Sequence, residues 1–446
     1  PLYSSAASDV YKRQIMDAVN KGASDIHFDP SQDSLKIRFR IDGILSDYSI
    51  IPSKYKRNMI SRIKMIAGMN IMETRLPQDG AIKSKIGERF LDLRVSSLPT
   101  NNAEKIVIRI LDYSMSLAGL DNLGFSEDAM EKINRLIKIP NGIILVTGAT
   151  GTGKSTTLYS ILQKLNTEEV NIITVEDPVE MDIEGINQVQ TQSEIGLTFA
   201  TILRSILRQD PNIIMIGEIR DDETARIAVR ASITGHLVLS SLHTNNSLNT
   251  IERLTDMDVE RYLLGSSLEG IISQRLARKV CPECSIKRPT TDYERQVFKT
   301  VLGKDVLEMV VANKEGCPKC THGYKGRLAI LEVLVMNEKI KDAITNGANK
   351  NTLRELVYTG DVVTLLQDGL NKVVLGETTF EEILKIVDLE NDMTQYNDDN
   401  LKTNLIMAQQ AHKADNKTND KPITSNISSE FKIEKTNNEN IETVEF

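Results

Sequence analysis

The chain has 446 residues, of which 40% are hydrophobic, and its formal net charge is −8. This length exceeds what one ordinary hydrophobic core organises, so it favours two or three domains. The acidic balance argues against sequence-independent nucleic-acid binding, which usually rests on a basic surface, although a local basic patch is compatible with it. The sequence has no run of about 18 uncharged apolar residues and no secretory signal pattern at its start. It therefore predicts a cytosolic protein that reaches any membrane through a partner.

The two ends of the chain differ in composition from the part between them. Residues 1–14 show no apolar periodicity, and the stretch Asp9 to Gln14 resembles a translated transposon end from a sequencing library. We expect this segment to be non-native or disordered, with a genuine flexible N-terminus as the alternative. Residues 391–446 are rich in Asn, Thr, Lys, Asp and Glu and predict a disordered tail. Within that tail, Leu401 to Ala411 would be a short docking helix or a solvated stretch.

A small α/β domain without a nucleotide-binding signature of its own is predicted for residues 15–117. Its strands alternate apolar and polar residues, as half-buried strands do, and an Asp-Gly pair favours a tight hairpin between two of them. The predicted elements are a helix ending at Gly22, strands at 34–42 and 44–50 that meet at Asp42-Gly43, a helix at 54–67, and strands at 89–98 and 104–111.

From residue 118 to about 390 the pattern changes to helices interleaved with continuous apolar runs. The runs read GIILVTG, VNIITVED, NIIMIGE and GHLVLSSL. Runs without alternation are typical of strands buried on both faces, as in a parallel sheet covered by helices. Each run ends in polar residues, and ligands of such doubly wound sheets bind at the carboxyl ends of the strands.

The sharpest motif, GATGTGKS, fits the pattern G-x-x-x-x-G-K-[ST] between an apolar strand and a helix. Its glycines let successive backbone N–H groups face phosphates at the start of a helix. Lys154 would reach the β- and γ-phosphates of ATP, and Ser155 would help to hold Mg²⁺. A glycine-rich turn without a ligand is the alternative, which the strand and helix context disfavours. The predicted nucleotide-binding residues are Gly148, Ala149, Thr150, Gly151, Thr152, Gly153, Lys154, Ser155 and Thr156.

Carboxylates follow two of the other apolar runs. Glu218 comes directly after a buried run and would orient or deprotonate the attacking water. Gly217 precedes it where nucleotide-binding sheets often carry Asp, so direct Mg²⁺ coordination by this strand is not expected. Glu176 leads the acidic group after the previous run, for which a solvated turn is the alternative. An apolar run that ends in Glu is a weak motif alone, and it gains weight from its neighbours.

Two histidines, of five in the chain, flank the next apolar run. His236 and His243 are therefore candidate catalytic residues, and His243 is the better candidate to sense the γ-phosphate. A histidine that is simply hydrogen-bonded in place is an equally frequent outcome for either position.

All four cysteines belong to one pattern, two C-x-x-C pairs. Their spacing predicts a tetrahedral zinc site with no open coordination position, hence a structural and not a catalytic one. Two disulfides are the alternative, which a cytosolic compartment disfavours. The predicted ligands are Cys281, Cys284, Cys317 and Cys320.

Over Ile15 to Val387 these segments together resemble the type II secretion and type IV pilus assembly ATPases. The matching boxes are the Walker A motif, EDPVE, LRQDPNIIMIGEIRD and TGHLVLSSLHTN. The family usually has Asp where Asn212 stands. The front part matches in the segments Ala23 to Pro30, Arg38 to Gly43, Arg75 to Gly80 and Leu91 to Thr100.

The resemblance implies a RecA-like P-loop ATPase domain with a parallel sheet, preceded by a small PAS-like α/β domain and carrying a zinc-binding insert at about 279–328. The front domain would clamp over ATP and Mg²⁺, with Arg94 and Arg109 neutralising phosphate charge. Taken without the resemblance, an Arg on an alternating strand is usually solvent-facing. Arg204, Arg208 and Arg220 are further, weaker candidates.

The resemblance also implies partners. Such proteins form six-subunit rings at the cytoplasmic face of the inner membrane, docked on a polytopic platform protein, and no nucleic-acid partner is expected. The four-cysteine insert is typical of secretion and pilus-extension ATPases rather than retraction ATPases. In such proteins a further domain usually precedes the part that begins here at Ile15 and recruits the ring, and we expect a chain without it to bind nucleotide but to assemble poorly at the membrane. The type of export system, whether type II secretion, type IV pilus or competence, stays open.

Two other classes of function compete with an assembly motor. A DNA-translocating or conjugation-type motor would share the fold, but the net charge and the lack of a basic stripe argue against it. A catalytically dead scaffold is disfavoured because Lys154, Ser155, Glu218 and His243 are all present.

Overall fold

The computed structural model describes residues 13–86, 89–112 and 119–387. The predicted tail at 391–446 and nearly all of the segment at 1–14 lie outside the described residues. The strands are β1 (Ala23–Pro30), β2 (Ser34–Ile41), β3 (Ile44–Pro52), β4 (Gln78–Ile86), β5 (Arg89–Thr100), β6 (Ala103–Asp112), β7 (Gly142–Thr147), β8 (Ile172–Glu176), β9 (Asn187–Gln190), β10 (Ile213–Ile216), β11 (Leu237–Leu242), β12 (Leu268–Val280), β13 (Ile286–Pro289), β14 (Glu308–Val311) and β15 (Tyr324–Val335). The helices are α1 (13–20), α2 (Ser53–Ile66), α3 (Glu127–Leu136), α4 (Lys154–Leu165), α5 (Phe199–Ile206), α6 (Asp222–Ile233), α7 (Ser247–Asp256), α8 (Arg261–Ser267), α9 (Asp292–Leu302), α10 (Glu338–Thr345), α11 (Lys350–Tyr358), α12 (Leu365–Val374) and α13 (Phe380–Ile386).

The front part of the chain forms a six-stranded antiparallel sheet in the order β3-β2-β1-β6-β5-β4. The predicted hairpin is confirmed, since Asp42 and Gly43 both have positive φ and Ile41 pairs with Ile44. The predicted helix at 54–67 is α2, whose apolar face packs on this sheet. β1 and β4 were not predicted. β4 reads QDGAIKSKI and lacks an apolar alternation. Gly80 of β4 passes so close to the end of α2 that a Cβ atom on it would lie 2.2 Å from the carbonyl oxygen of Ala67.

A buried ion pair stabilises the front sheet against α2. Lys64 Nζ lies 2.5 Å from Glu104 Oε1, and the two side chains are 1% and 7% exposed. Lys64 also donates to the carbonyl oxygen of Glu73 at 2.6 Å, and Ser97 donates to Glu104. The pair therefore ties α2, β5, β6 and the loop before β4 together.

Lys64→Met should destabilise the front domain by about 3–5 kcal/mol, because it leaves the Glu104 carboxylate buried without a counter-charge. The free energy of unfolding, followed through the first transition in urea, measures this. Lys36→Met is the matched control, since the Lys36–Asp47 pair is exposed and is expected to contribute less than about 1 kcal/mol. Equal losses in the two variants would contradict the account.

The remaining chain forms a seven-stranded sheet in the order β15-β12-β7-β11-β10-β8-β9. The four apolar runs become β7, β8, β10 and β11, which are parallel and fully buried, so the predicted parallel sheet is confirmed for them. The sheet is nevertheless mixed, because β15 runs antiparallel to β12 at one edge. Helices α4 to α7 connect the parallel strands, and apolar clusters lie on both faces.

The long β12–β15 hairpin carries the cysteine segment as an excursion between its strands. This excursion contains β13, β14 and α9, and its apolar residues pack with α12 and α13. The N–H of Cys281 donates to the carbonyl oxygen of Gly323 at 2.8 Å, which closes the base of the excursion. Among the described residues, every helix is too short or too polar to cross a membrane.

Candidate functional site

The glycine-rich loop lies between β7 and α4, at the carboxyl edge of the parallel strands. Gly151 and Gly153 adopt positive φ angles of 80° and 88°, which turn the loop back onto the start of α4. Lys154 Nζ donates to the carbonyl oxygens of Gly148 and Ala149, at 2.9 and 3.2 Å. Burial lowers the pKa of Lys154, an effect that the charge of Glu218 opposes and that of Arg275 adds to. The loop therefore has the strand, turn and helix that phosphate binding requires.

Glu218 follows β10 and meets His243, which follows β11. Glu218 Oε2 lies 3.2 Å from His243 Nε2, and Arg220 donates a short hydrogen bond to Glu218 Oε1. Arg220 also pairs with Asp177 at 3.4 Å. Partial burial by itself would raise the pKa of Glu218, but the hydrogen bond and charge of Arg220, together with His243, outweigh it and hold the pKa below its usual range. Glu218 is therefore a carboxylate at neutral pH, and its charge acts on Lys154.

Arg220→Ala should move the acidic limb of the pH profile of turnover to higher pH. The variant loses the hydrogen bond and charge that lower the pKa of Glu218, while burial still raises it, so the Glu218 carboxylate is protonated at a higher pH than in the wild type. Turnover measured from pH 4.5 to 8 tests this shift. Arg208→Ala is the control, since Arg208 contacts Arg204 and Ser205 instead. If the acidic limb lies at the same pH in Arg220→Ala and in the wild type, Arg220 does not set the pKa of Glu218.

Glu176, the last residue of β8, is buried at 4% exposure and fully hydrogen-bonded. Its oxygens accept from Tyr159 through a short bond, from Thr174 at 2.5 Å and from Gln188 at 3.1 Å. Tyr159 Oη also accepts the N–H of Glu180 at 3.0 Å. Through these bonds, the Glu176 carboxylate holds α4 and the loop after β8 in place. This environment fits a structural carboxylate better than a carboxylate that contacts a substrate. Tyr159 and Gln188 were not predicted from the sequence, because their contacts with Glu176, 17 and 12 residues away in the chain, follow no local motif.

The front domain reaches this region through Arg94 on β5. Arg94 Nη2 lies 2.9 Å from Glu180 Oε2 and donates to the carbonyl oxygen of Val179 at 3.2 Å. Arg109 is directly opposite Arg94 in the β5–β6 ladder, but its side chain is 62% exposed and pairs with Asp25 of the front domain. Arg94 thus contacts the loop after β8, at Val179 and Glu180. Arg109 lies next to Arg94 on the neighbouring strand but pairs within the front domain.

The structure does not bring His236 to this site. His236 precedes β11, and the parallel register pairs Leu237 with Gly142, the first residue of β7, so it lies at the sheet edge opposite the glycine-rich loop. Its Nδ1 contacts the carbonyl oxygen of Ala231 at 2.8 Å. Within one subunit, His236 thus bonds in the turn after α6, the structural alternative that the sequence left open, and its predicted catalytic role stays a prediction.

Three more residues of the sequence analysis lie away from the loop that carries Lys154. Asn212 also precedes its strand, where its Oδ1 accepts the N–H of Asn171 at 2.7 Å, so the departure from the usual Asp sits at the opposite edge from Glu218. Arg204 pairs with Glu223, and Arg208 bonds back to the carbonyl oxygen of Arg204. Of the three weaker arginine candidates, only Arg220 contacts a site residue.

The four cysteines converge into one cluster whose sulfur atoms all lie within 4.8 Å of one another. Two of the sulfur pairs, Cys281–Cys317 and Cys284–Cys320, are 3.8 and 3.7 Å apart. A disulfide requires about 2.05 Å between its sulfurs, so these cysteines are not paired as disulfides. Four thiolates about 2.3 Å from a tetrahedral Zn²⁺ would lie about 3.8 Å from one another, so the cluster fits zinc.

The fold and the loop have counterparts among solved structures. The X-ray structure of the ATPase DotB of Legionella pneumophila superposes with a TM-score of 0.61 at 21% identity, covering 84% of this chain and 94% of that chain. The pilus retraction motor PilT with bound ADP superposes with a TM-score of 0.56 at 26% identity, covering 83% and 94%. Together with the glycine-rich loop between β7 and α4, the likeness to PilT places this chain in the class of P-loop ATPases.

Comparison with known sequences gives the family. The chain matches the Type II/IV secretion system protein family over residues 4–385. It is 46% identical over 373 residues to the putative type II secretion system protein E of Escherichia coli (strain K12), covering 83% of this chain and 75% of that protein. It is 44% identical over 388 residues to the type IV pilus assembly ATPase PilB of Thermus thermophilus, covering 86% of this chain and 43% of that protein. The chain therefore belongs to the type II/IV secretion system protein family.

Proposed function

We propose that this chain binds ATP with Mg²⁺ on the glycine-rich loop and hydrolyses it to drive the assembly of pilins or pseudopilins. One observation carries the proposal: Glu218 and His243 meet at the carboxyl edge of the sheet, within electrostatic reach of Lys154. Residues 148–156 would cradle the phosphates, and Ser155 would help to hold Mg²⁺, which would neutralise charge on the transferred group.

Each remaining site residue has one task in this proposal. Glu218 orients and deprotonates the attacking water, and Arg220 keeps its carboxylate ionised and in place. His243 contacts Glu218 and senses the γ-phosphate. Glu176 positions α4 through Tyr159. Arg94 and Arg109, predicted to neutralise phosphate charge, would do so when the front domain moves from its contact with Glu180 toward the nucleotide.

The domain organisation supports this division of labour. We infer a RecA-like ATPase domain at 118–390 and a PAS-like front domain at 15–117, the latter from its antiparallel sheet with α2 packed against it. The four-cysteine cluster would hold a structural Zn²⁺ that closes the insert at about 279–328, because all four positions of a tetrahedral metal are taken by sulfur.

The relatives' names suggest where the work is done. Secretion protein E and PilB belong to type II secretion and to type IV pilus assembly. We propose that this chain works as a hexameric ring at the cytoplasmic face of the inner membrane, docked on a polytopic platform protein, and that it drives extension instead of retraction. Closure of the front domain over ATP in successive subunits would provide the mechanical step.

ATP turnover with different partners tests this proposal. The purified chain is assayed alone, with platform protein in lipid vesicles, and with double-stranded DNA. Turnover that rises with the platform protein and ignores DNA supports an assembly motor. Turnover that rises with DNA and ignores the platform protein would favour the DNA-translocating alternative.

A further inference from the structure

A buried glutamine on β12, Gln274, hydrogen-bonds to the glycine-rich loop and to α4. Gln274 is 3% exposed, and it is the middle residue of a polar triplet that interrupts the apolar strand segment IISQRLA. Its Nε2 donates to the carbonyl oxygen of Thr152 at 2.8 Å, and its Oε1 accepts from Thr157 Oγ1 at 2.7 Å. One amide therefore bridges the loop and the first turn of α4, and both ends of the amide are hydrogen-bonded.

Two glycines of the loop are packed against the same residue. A Cβ atom on Gly148 would lie 2.5 Å from the carbonyl oxygen of Gln274, and one on Gly153 would lie 2.9 Å from its Nε2. The loop thus packs closely against Gln274 at both of its ends. Because these glycines also hold the φ angles that curve the loop, Gln274 defines the surface on which that curvature forms.

The next residue connects the loop to the segment that carries His243. Arg275 Nη2 donates to the carbonyl oxygen and to Oδ1 of Asn245, at 2.9 and 3.1 Å, and Nη1 donates to the carbonyl oxygen of Gln274. On the other side, Ser273 Oγ lies 3.0 Å from Thr147 Oγ1, at the end of β7. Three consecutive residues of β12 therefore contact β7, the glycine-rich loop and the segment after β11.

We propose that Gln274 is a positioning residue for ATP, which sets the shape of the glycine-rich loop, and that Arg275 ties that loop to the His243 segment. The inference rests on the proposed role of the loop in binding ATP. Nothing in the motifs of the sequence assigns either residue to the site. Gln274 acts through Thr152 and Thr157, so its effect falls on the affinity for nucleotide and on the placement of Lys154 at the start of α4.

Gln274→Glu gives a readout that a purely structural role would not change. The ionised carboxylate repels the carbonyl oxygen of Thr152, whereas the protonated acid donates to it as the amide does, and burial raises the pKa of such a carboxyl group. The measured quantity is the ratio of the variant's KM for ATP to the wild-type KM at the same pH. This ratio should be about ten at pH 8.5 and approach one at pH 6. A ratio that does not change with pH overturns the proposal.

Thr157 and Gln367 provide the second variant set and the control. Thr157→Val removes the hydroxyl bonded to Gln274 and should raise the KM for ATP severalfold, whereas Thr157→Ser keeps it and should match wild type. Gln367 bonds to Thr364 in the cap of α12, so Gln367→Leu should affect the melting temperature without changing KM. If Lys154→Ala abolishes ATP binding while the Gln274 and Thr157 variants bind normally, only this inference fails. If Lys154→Ala binds and hydrolyses ATP normally, the proposed function of the loop fails.

Discussion

Glu218→Gln should bind ATP like the wild type and hydrolyse it at least about 100-fold more slowly, because the amide cannot take a proton from the attacking water. The carboxylate follows β10, contacts Arg220 and His243, and lies near Lys154 without bonding to it. Removing its charge therefore alters the hydrolytic step more than the binding of phosphates. Single-turnover phosphate release, with ATP affinity measured on the same sample, separates the two effects.

A matched control for this prediction is Glu223→Gln. Glu223 lies in the first turn of α6, five residues further along the chain, where its exposed carboxylate pairs with Arg204. Its replacement removes the same charge outside the site, so turnover should stay near that of the wild type. Equal turnover in Glu218→Gln and wild type would remove Glu218 from the mechanism.

Cys281→Ser should release the metal from the four-cysteine cluster and lower the melting temperature of the insert. Cys281 is buried, and its N–H bond to Gly323 closes the base of the excursion from the β12–β15 hairpin. Structural zinc in small zinc-finger peptides binds with about 10–16 kcal/mol of apparent free energy, which becomes folding free energy, so loss of one thiolate should be costly. Metal analysis of the purified protein and thermal unfolding measure the two effects.

Glu283→Gln serves as the control within the same C-x-x-C loop. Glu283 is exposed and pairs with Lys319, so its charge can be removed while all four thiolates stay in place. This variant should keep one zinc per chain and the melting temperature of the wild type. A wild-type protein that contains no zinc would refute the cysteine prediction.

The sequence predicted those parts of the molecule that local patterns determine. Continuous apolar runs gave β7, β8, β10 and β11, and the polar residues after them gave Glu218 and His243 at one edge of the sheet. The predicted cysteine cluster follows from spacing in the same way. These features depend on periodicity and on short motifs, which a single sequence displays directly.

The residues that were missed depend on contacts between distant parts of the chain. Tyr159 bonds to Glu176 and Gln274 to Thr152 only because α4, β8 and β12 are brought together by the fold. A signal for Gln274 was present, since polar residues interrupt the apolar run of β12, but the run was not predicted as a strand. For His236 the sequence motif was misleading, because it groups His236 with His243. In the structure the six residues of β11 lie between the two histidines, so they stand at opposite ends of the strand.

The most direct test of the account is ATP hydrolysis by the wild-type chain and by Lys154→Ala, with circular dichroism to show that both are folded. Lys154 is the loop residue that we propose to contact the phosphates, and its replacement by alanine removes the ammonium group while the glycines and the residues of α4 stay unchanged. We expect hydrolysis by the wild type and only background phosphate release by the variant. Equal hydrolysis by the two proteins would contradict it.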